Sequence, residues 1–341
     1  MKEKTIFKIS SSAVKDSACD VRFDEMVNRG LTEKLKWNDT FYGTCFHTFA
    51  YVMAMTNGDF AVANAETMAK FRKTPTKIRD KKEHLTEKHL INTCIQYWSE
   101  IESARTDFEP LMHTALCHYC GGTSVREVAG EKHDCNMCEA GHVTVPIAEF
   151  NFSIPVYEDE DFIVLFEGTI DRMGKIKNGA YCIRDFKTTS SWDWRKFLES
   201  FRASGQLKLY IWALKKHAQL NPGSVMDAIT KFPLVAFVDG IFLKSAKETE
   251  FHSEGFQFKD WELQEMESML LDKAKKIVEL KVKGDLGEVI QPTGKITGLC
   301  YTGFFCKYFN VCHALDTVVR KHIISNQFTN ITFDPLNYDG E

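Results

Sequence analysis

Three regimes of hydrophobic spacing divide this chain. Across residues 41–55 the apolar positions Phe46, Phe49, Ala50 and Met53 recur at three- and four-residue intervals, which predicts an amphipathic helix from Phe41 to Met55. An earlier helix is expected from a Ser11 or Ser12 cap to Arg29, stopped by Gly30, and helical spacing continues through Leu85–Ala104. From Val143 the pattern shortens to the period of a strand, giving Val143–Val156, Phe162–Met173 and Ala180–Lys187. Helical spacing returns at Gly205–Gln219, where Leu207, Ile211 and Leu214 supply the buried face. A strand at Leu234–Leu243, paired with Glu248–His252, and a long helix at Trp261–Lys281 complete the expected order. Past Cys312 the pattern predicts a short helix to Ile324 and a loosely held tail to Glu341.

The two strands around Lys177-Asn178-Gly179 carry the candidate chemistry. Asn-Gly between β-branched runs is a strong hairpin signal, and a turn centred on Asn178 sets Asp171 opposite Asp185. Opposed residues of an antiparallel pair share a face, and Lys187 joins them by the two-residue period. Two carboxylates so placed repel unless a cation lies between them, and hard oxygen donors suit Mg²⁺ or Mn²⁺. A surface salt-bridge cluster is the alternative reading of the same three residues.

Composition narrows the setting. The chain has 341 residues, 44% of them hydrophobic, enough for a sizeable core, and no apolar run approaches the length of a membrane span. Its N-terminus lacks an apolar signal core, so no membrane association and a cytoplasmic location are expected. The net charge of −4 means that nucleic acid would have to be gripped by local patches. One such patch, Lys70–Lys82, holds seven basic residues against one acid; Lys73, Lys77 and Arg79 are its candidate phosphate contacts, and a solvated charged connector is the alternative. A basic run at Lys273–Lys283 follows acidic residues on the same helix and suits the helix dipole without a ligand.

Eleven cysteines divide by spacing. Cys117-x-x-Cys120 and Cys135-x-x-Cys138, fourteen residues apart, match two knuckles of a tetrahedral structural Zn²⁺ site. Cys45, Cys94 and Cys182, each in an apolar periodic segment, read as core thiols.

Gly168-Thr-Ile-Asp171 and Asp185-Phe-Lys187 together resemble the core of the PD-(D/E)xK nuclease superfamily in its RecB-type branch. Gly43-Thr-Cys-Phe-His47 upstream and Gln206-Leu-Lys-Leu-Tyr210 downstream resemble the family's G-x-x-x-H and Q-x-x-x-Y helices, in the right order. The resemblance implies that His47, Asp171 and Asp185 ligate the Mg²⁺ or Mn²⁺ and that Lys187 is the catalytic lysine. It further implies that Glu149 is the acidic residue preceding the first metal aspartate, and that Gln206 and Tyr210 contact DNA or support the site. Cys300, Cys306 and Cys312 near the C-terminus resemble the Fe–S members of that branch, including the AddB-like and CRISPR-associated ones. This implies a [4Fe–4S] cluster whose fourth ligand is Cys19, or else Cys45. Asp20 stands where the family usually has proline, and the gaps between the three C-terminal cysteines, five and five, differ from its usual spacing. Buried free thiols are the other reading.

The expected fold is α/β, a restriction-endonuclease-like PD-(D/E)xK core with a mixed central sheet flanked by helices and a zinc-ribbon insertion. Its expected organisation is an N-terminal helical part (1–112), the ribbon (113–142), the nuclease core (143–256) and a C-terminal helix with the cysteine tail (257–341). The expected activity is metal-dependent hydrolysis of DNA, as an exonuclease in recombination, repair or phage DNA processing, alongside a recombination or replication partner protein. The rivals are a non-catalytic DNA-binding or scaffold protein on the same fold, and a protein whose knuckles dock a partner with cleavage secondary.

Overall fold

The computed structural model describes residues 3–16, 19–78, 82–102, 107–128, 131–245, 248–286, 290, 306–312, 314 and 317–330. Its centre is a mixed seven-stranded sheet. The main strands are β1 (Thr5–Ile9), β2 (Ala148–Glu158), β3 (Phe162–Ile176), β4 (Tyr181–Thr189), β5 (Leu234–Ser245) and β6 (Glu248–Phe256), with a short strand Phe108–Pro110 beside the end of β3. β1 runs parallel to β3 and β4 parallel to β5, while β2–β3, β3–β4 and β5–β6 are antiparallel.

The register explains where the sheet opens. β1 pairs with Phe162–Phe166 of β3, and β4 pairs with Arg172–Lys175 on the same edge. Between them the edge from Glu167 to Asp171 has no ladder partner among the described residues, so β1 and β4 splay apart around Asp171. The turn sets Arg172 against Arg184, the register the Asn178-Gly179 signal predicts, and Asp171 and Asp185 lie one residue beyond the last ladder pair. Both facing arginines are neutralised: Arg184 forks onto Asp239 at 2.7 and 2.6 Å, and Arg172 pairs with Glu102.

Helices cover both faces. α1 (Asn38–Met55), α2 (Phe60–Lys73) and α3 (Glu87–Gln96) pack over Phe186, Ile241 and Leu243 through Phe41, Phe46, Phe49 and Met53. α4 (Trp194–Ala203), α5 (Gly205–Leu220) and α6 (Asp260–Asp285) bury the main core against Phe166, Ile170, Ile183, Val238 and Phe242. Alternate residues of β5 thus serve opposite layers, as the two-residue period requires.

Several expected elements change at their ends. The first helix breaks into Ser11–Asp16, Asp20–Phe23 and a wide turn Asp24–Asn28; Ser10 rather than Ser11 caps it, its Oγ accepting from the Ala13 amide at 3.2 Å. Gly30, with φ of 62°, makes the expected stop. The Leu85–Ala104 helix shortens to α3 plus a wide turn at Tyr97–Glu102. Val143–Val156 divides into His142–Pro146 and β2, because the first piece pairs with Met112–Leu116 at the foot of the cysteine module. The C-terminal segment is held as far as residue 330: Thr317–Gln327 is helical and Phe328–Asn330 pairs with Leu31–Glu33. β1 and α4 were not anticipated. No helix among the described residues is long and apolar enough to cross a membrane.

Candidate active site

α1 delivers His47 to the splayed edge. The helix packs closely here: a Cβ at position 43 would lie 2.6 Å from Thr188 Oγ1 near the end of β4, so a larger residue would displace the Thr188 side chain. The close neighbour of Gly43 is thus a threonine side chain rather than backbone. The His47 Nε2 lies 3.1 Å from the Phe186 carbonyl oxygen. That carbonyl can only accept, so Nε2 carries a proton and donates, and Nδ1 is turned toward the acids. Nδ1 stands 3.4 Å from Asp171 Oδ1 and 3.6 Å from Glu149 Oε1. Asp171 Oδ2 accepts the Phe186 amide at 2.5 Å, so the carboxylate satisfies a backbone donor just where the β3–β4 ladder ends.

Glu149 reaches this group through a backbone exception. Ala148 pairs with Arg172 and Phe150 with Ile170, which leaves Glu149 opposite Asp171 with φ of 51°. A left-handed non-glycine residue costs on the order of 1–3 kcal/mol and persists where surrounding structure imposes it, commonly at functional sites. One oxygen of Glu149, one of Asp171 and a His47 nitrogen all lie within 4.8 Å of one another. One nitrogen and two carboxylates form a donor set suited to a divalent ion.

Asp185 and Lys187 form the adjoining half. Lys187 Nζ is 2.6 Å from Asp185 Oδ2, while Gln206 on α5 donates from Nε2 to Asp185 Oδ1 at 3.3 Å and to Tyr210 Oη at 2.9 Å. The structure therefore brings together His47, Glu149, Asp171, Asp185, Lys187, Gln206 and Tyr210. Within that group Asp185, expected as a metal ligand, engages Lys187, and Glu149 completes the tight three-donor set. Gln206 and Tyr210 brace the acid; Tyr210 is buried.

Electrostatics follow from this crowding. Burial pushes the His47 imidazole toward neutrality, yet Asp171 and Glu149 more than offset it and raise its pKa well above 6.5. Burial raises the Asp171 carboxyl, but His47, Lys187 and the Phe186 amide leave it below its usual range. For Asp185, burial outweighs Lys187, and with Asp171 adding repulsion the carboxyl rises to about 6. Burial disfavours the Lys187 ammonium, but Asp185 and Asp171 hold it above its ordinary range.

A cleft of about 1240 Å³ runs over these residues, bounded by Ser10–Ser12, Thr188–Ser190, Lys307 and the foot of the cysteine module at His113 and Leu116. The basic stretch behaves unevenly. Lys77 pairs with Glu33 at 3.1 Å and lies over the Trp37 ring, Lys73 is exposed at the end of α2, and Arg79 lies outside the described residues. Lys82, not singled out in advance, lines the cleft, 3.0 Å from Asp39 and bonded to Ser190.

The four module cysteines converge. Cys117–Cys135 and Cys120–Cys138 sulfurs are 3.8 and 3.7 Å apart, far beyond a disulfide. These separations match the edge of a tetrahedron with metal–sulfur bonds of about 2.3 Å, an edge of about 3.8 Å. Burial opposes ionisation of Cys120, but the Gly122 amide, the Cys138 thiol, the Ser124 amide and the Cys117 thiol bring its thiol down to about 7. Gly141 is required where the two knuckles touch, since a Cβ there would sit 2.2 Å from the Gly122 carbonyl oxygen. The module docks on α2 through Tyr119 Oη to Asp59 at 2.7 Å and His118 to Glu66 at 2.6 Å.

Of the second cysteine set, Cys300 lies outside the described residues. Cys19 is buried, and Cys306 and Cys312 are half-buried against the main core. Cys45 packs in the other core cluster, beneath α1. The terminal segments do meet: Tyr308 Oη donates to the Leu31 carbonyl at 2.6 Å, and Arg320 pairs with Glu25.

With strand order, splayed edge and site in view, the class is clear. The model of the PD-(D/E)XK nuclease superfamily matches residues 17–313, and the chain belongs to that superfamily. A solved structure from Eubacterium rectale, provisionally described as an exonuclease, is similar over 88% of this chain and 89% of its own, at 16% identity and a TM-score of 0.42. The structure of SSO0001 is similar over 39% of this chain and 49% of its own, at 10% identity and a TM-score of 0.22. Both scores are low, and the assignment rests on the sequence match. No curated protein matches the chain.

Proposed function

We propose that the protein is a Mg²⁺- or Mn²⁺-dependent deoxyribonuclease that hydrolyses phosphodiesters from strand ends, in DNA recombination, repair or phage DNA processing. The observation that carries this reading is the convergence of His47 Nδ1, Glu149 and Asp171 beside the Asp185–Lys187 pair, at the one gap in the β3 edge. His47, Glu149 and Asp171 would hold the ion, with Asp185 next to it. Such an ion, when bound, polarises a phosphoryl oxygen and favours hydroxide over water.

The chain's own residues supply the rest. The Phe186 carbonyl fixes the His47 ring so that Nδ1, not Nε2, faces the acids. Asp185, braced by Gln206, holds the Lys187 ammonium, which orients the attacking water and offsets charge on the phosphoryl group. The four module cysteines would hold a structural Zn²⁺, with no open position for chemistry. Cys19, Cys300, Cys306 and Cys312 would hold the [4Fe–4S] cluster, consistent with the contact between terminal segments.

The test is digestion of end-labelled linear and closed circular DNA with Mn²⁺, comparing wild type with Asp171→Ala. Progressive loss from linear ends, a resistant circle and an inactive variant are expected. Equal activity in the variant would refute the assigned site.

A further inference from the structure

A chain of net charge −4 must grip a polyanion through local patches, yet much of the basic stretch before α3 is spent on internal pairs. Arg72 is matched by Glu87, Lys77 by Glu33 and Lys82 by Asp39. A different surface lies directly beyond the site. Thr188, Thr189 and Ser190 line the cleft, and two residues later Trp192 projects with 77% of its surface exposed. Isolated exposed apolar side chains are ordinary. The backbone carrying Trp192, however, is pinned. The Lys244 ammonium, its side chain only 4% exposed, donates to the Trp192 carbonyl at 2.7 Å and to the Ser191 carbonyl at 3.3 Å. It also lies 5.3 Å from the Trp192 ring centroid. Asp193 then caps α4 by accepting the Lys196 amide at 3.0 Å. Trp194 stacks on His252 at 4.1 Å and 6°, which fastens the start of α4 to β6.

Both ends of α4 add charge, Arg195 and Lys196 in the first turn and Arg202 in the last. Arg195, Lys196 and Arg202 are exposed and carry no ion pair among the described residues, in contrast to the basic residues before α3. Resting on the nuclease reading, we infer that Trp192 with Arg195 and Lys196 forms a preorganised platform for a single-stranded DNA end that runs past Ser190 into or out of the cleft. The ring stacks one base and the two cations meet the backbone phosphates. The occupant is single-stranded because the faces of bases inside a duplex are already covered by their neighbours, whereas an unpaired base offers a free face to an aromatic ring. Two extended residues span at most about 7 Å, so the Trp192 backbone lies within that distance of the cleft lining at Ser190.

The experiment measures affinity for a fluorescein-labelled single-stranded DNA oligonucleotide, and for a blunt duplex, by anisotropy without added divalent cation. Trp192→Ala weakens single-strand binding about tenfold, with little change for the duplex, and Trp192→Phe restores most of the loss. Arg195→Ala with Lys196→Ala flattens the dependence of log affinity on log salt by about 1.4. An unchanged single-strand affinity in Trp192→Ala, or equal losses on duplex and single strand, overturns the inference. Cleavage of bis(p-nitrophenyl) phosphate, too small to reach Trp192, separates the two readings. A wild type that fails to cleave it strikes at the nuclease chemistry, whereas a cleaving wild type with an unaffected Trp192→Ala in the binding assay removes the platform alone.

Discussion

Metal binding at the His47–Glu149–Asp171 group should release a proton, and the number of protons is set by the geometry. In the metal-free protein the two carboxylates raise the imidazole pKa well above 6.5, so His47 is protonated near neutrality. A ligating Nδ1 must be unprotonated, because Nε2 keeps its hydrogen for the Phe186 carbonyl. Asp171, held below its usual range, is already ionised and contributes no proton. Below the elevated His47 pKa, apparent Mn²⁺ affinity should therefore rise about tenfold, or about 1.36 kcal/mol, per pH unit. Calorimetric titration of Mn²⁺ in buffers of differing ionisation heat reads the protons directly. Close to one proton is expected for wild type near pH 7, and close to none for His47→Gln, with a flattened pH slope. A wild type whose affinity is independent of pH, with no buffer-dependent heat, would mean that the ion does not displace a proton from His47. The same linkage has a stability sign. A His47 pKa raised on folding stabilises the metal-free fold most fully below pH 6.5, and that contribution is lost as pH climbs through the folded value.

Other outcomes follow from the same contacts. Lys187→Ala should lower kcat by about 10²-fold or more while leaving DNA affinity nearly intact; single-turnover rates beside binding titrations decide this, and an unchanged rate rejects the role. With the Asp185 carboxyl at about 6, cleavage should rise through that pH as the group ionises, and Asp185→Asn should be inactive across a pH–rate profile. Cys117→Ser should lose one equivalent of zinc by elemental analysis yet retain cleavage of short DNA, whereas Asp185→Ala loses cleavage and keeps the zinc. Asp239→Ala strands the buried Arg184 guanidinium and should cost about 3–5 kcal/mol in denaturant unfolding; a loss below about 1 kcal/mol would contradict that pairing.

What could be read in advance was what neighbours in sequence decide. The Asn178-Gly179 turn sets the register that brings Asp171 and Asp185 together, and the helical stripes of α1 and α5 place His47 and Gln206. The cysteine knuckles were legible because their spacing is local. Glu149 was anticipated by resemblance, but not its route into the site, since no pattern of apolar positions announces a φ of 51°. Nor does a pattern reveal distant partners. The basic stretch reads as a phosphate grip until Glu33, Asp39 and Glu87 are seen to pair with it. β1 escaped notice because Thr5–Ile9 is short and stabilised by its pairing with a strand more than 150 positions away. Trp192 carried no signal at all; its meaning comes from Lys244, which reaches it from the next strand of the sheet.

A divalent ion is expected among His47, Glu149 and Asp171. Anomalous diffraction from crystals soaked in Mn²⁺ tests this most directly. A single strong peak bonded to Nδ1 of the histidine and to one oxygen from each acid is predicted, lost in Asp171→Ala. A soaked crystal with no peak there, and the two carboxylates turned away from the imidazole, would contradict it.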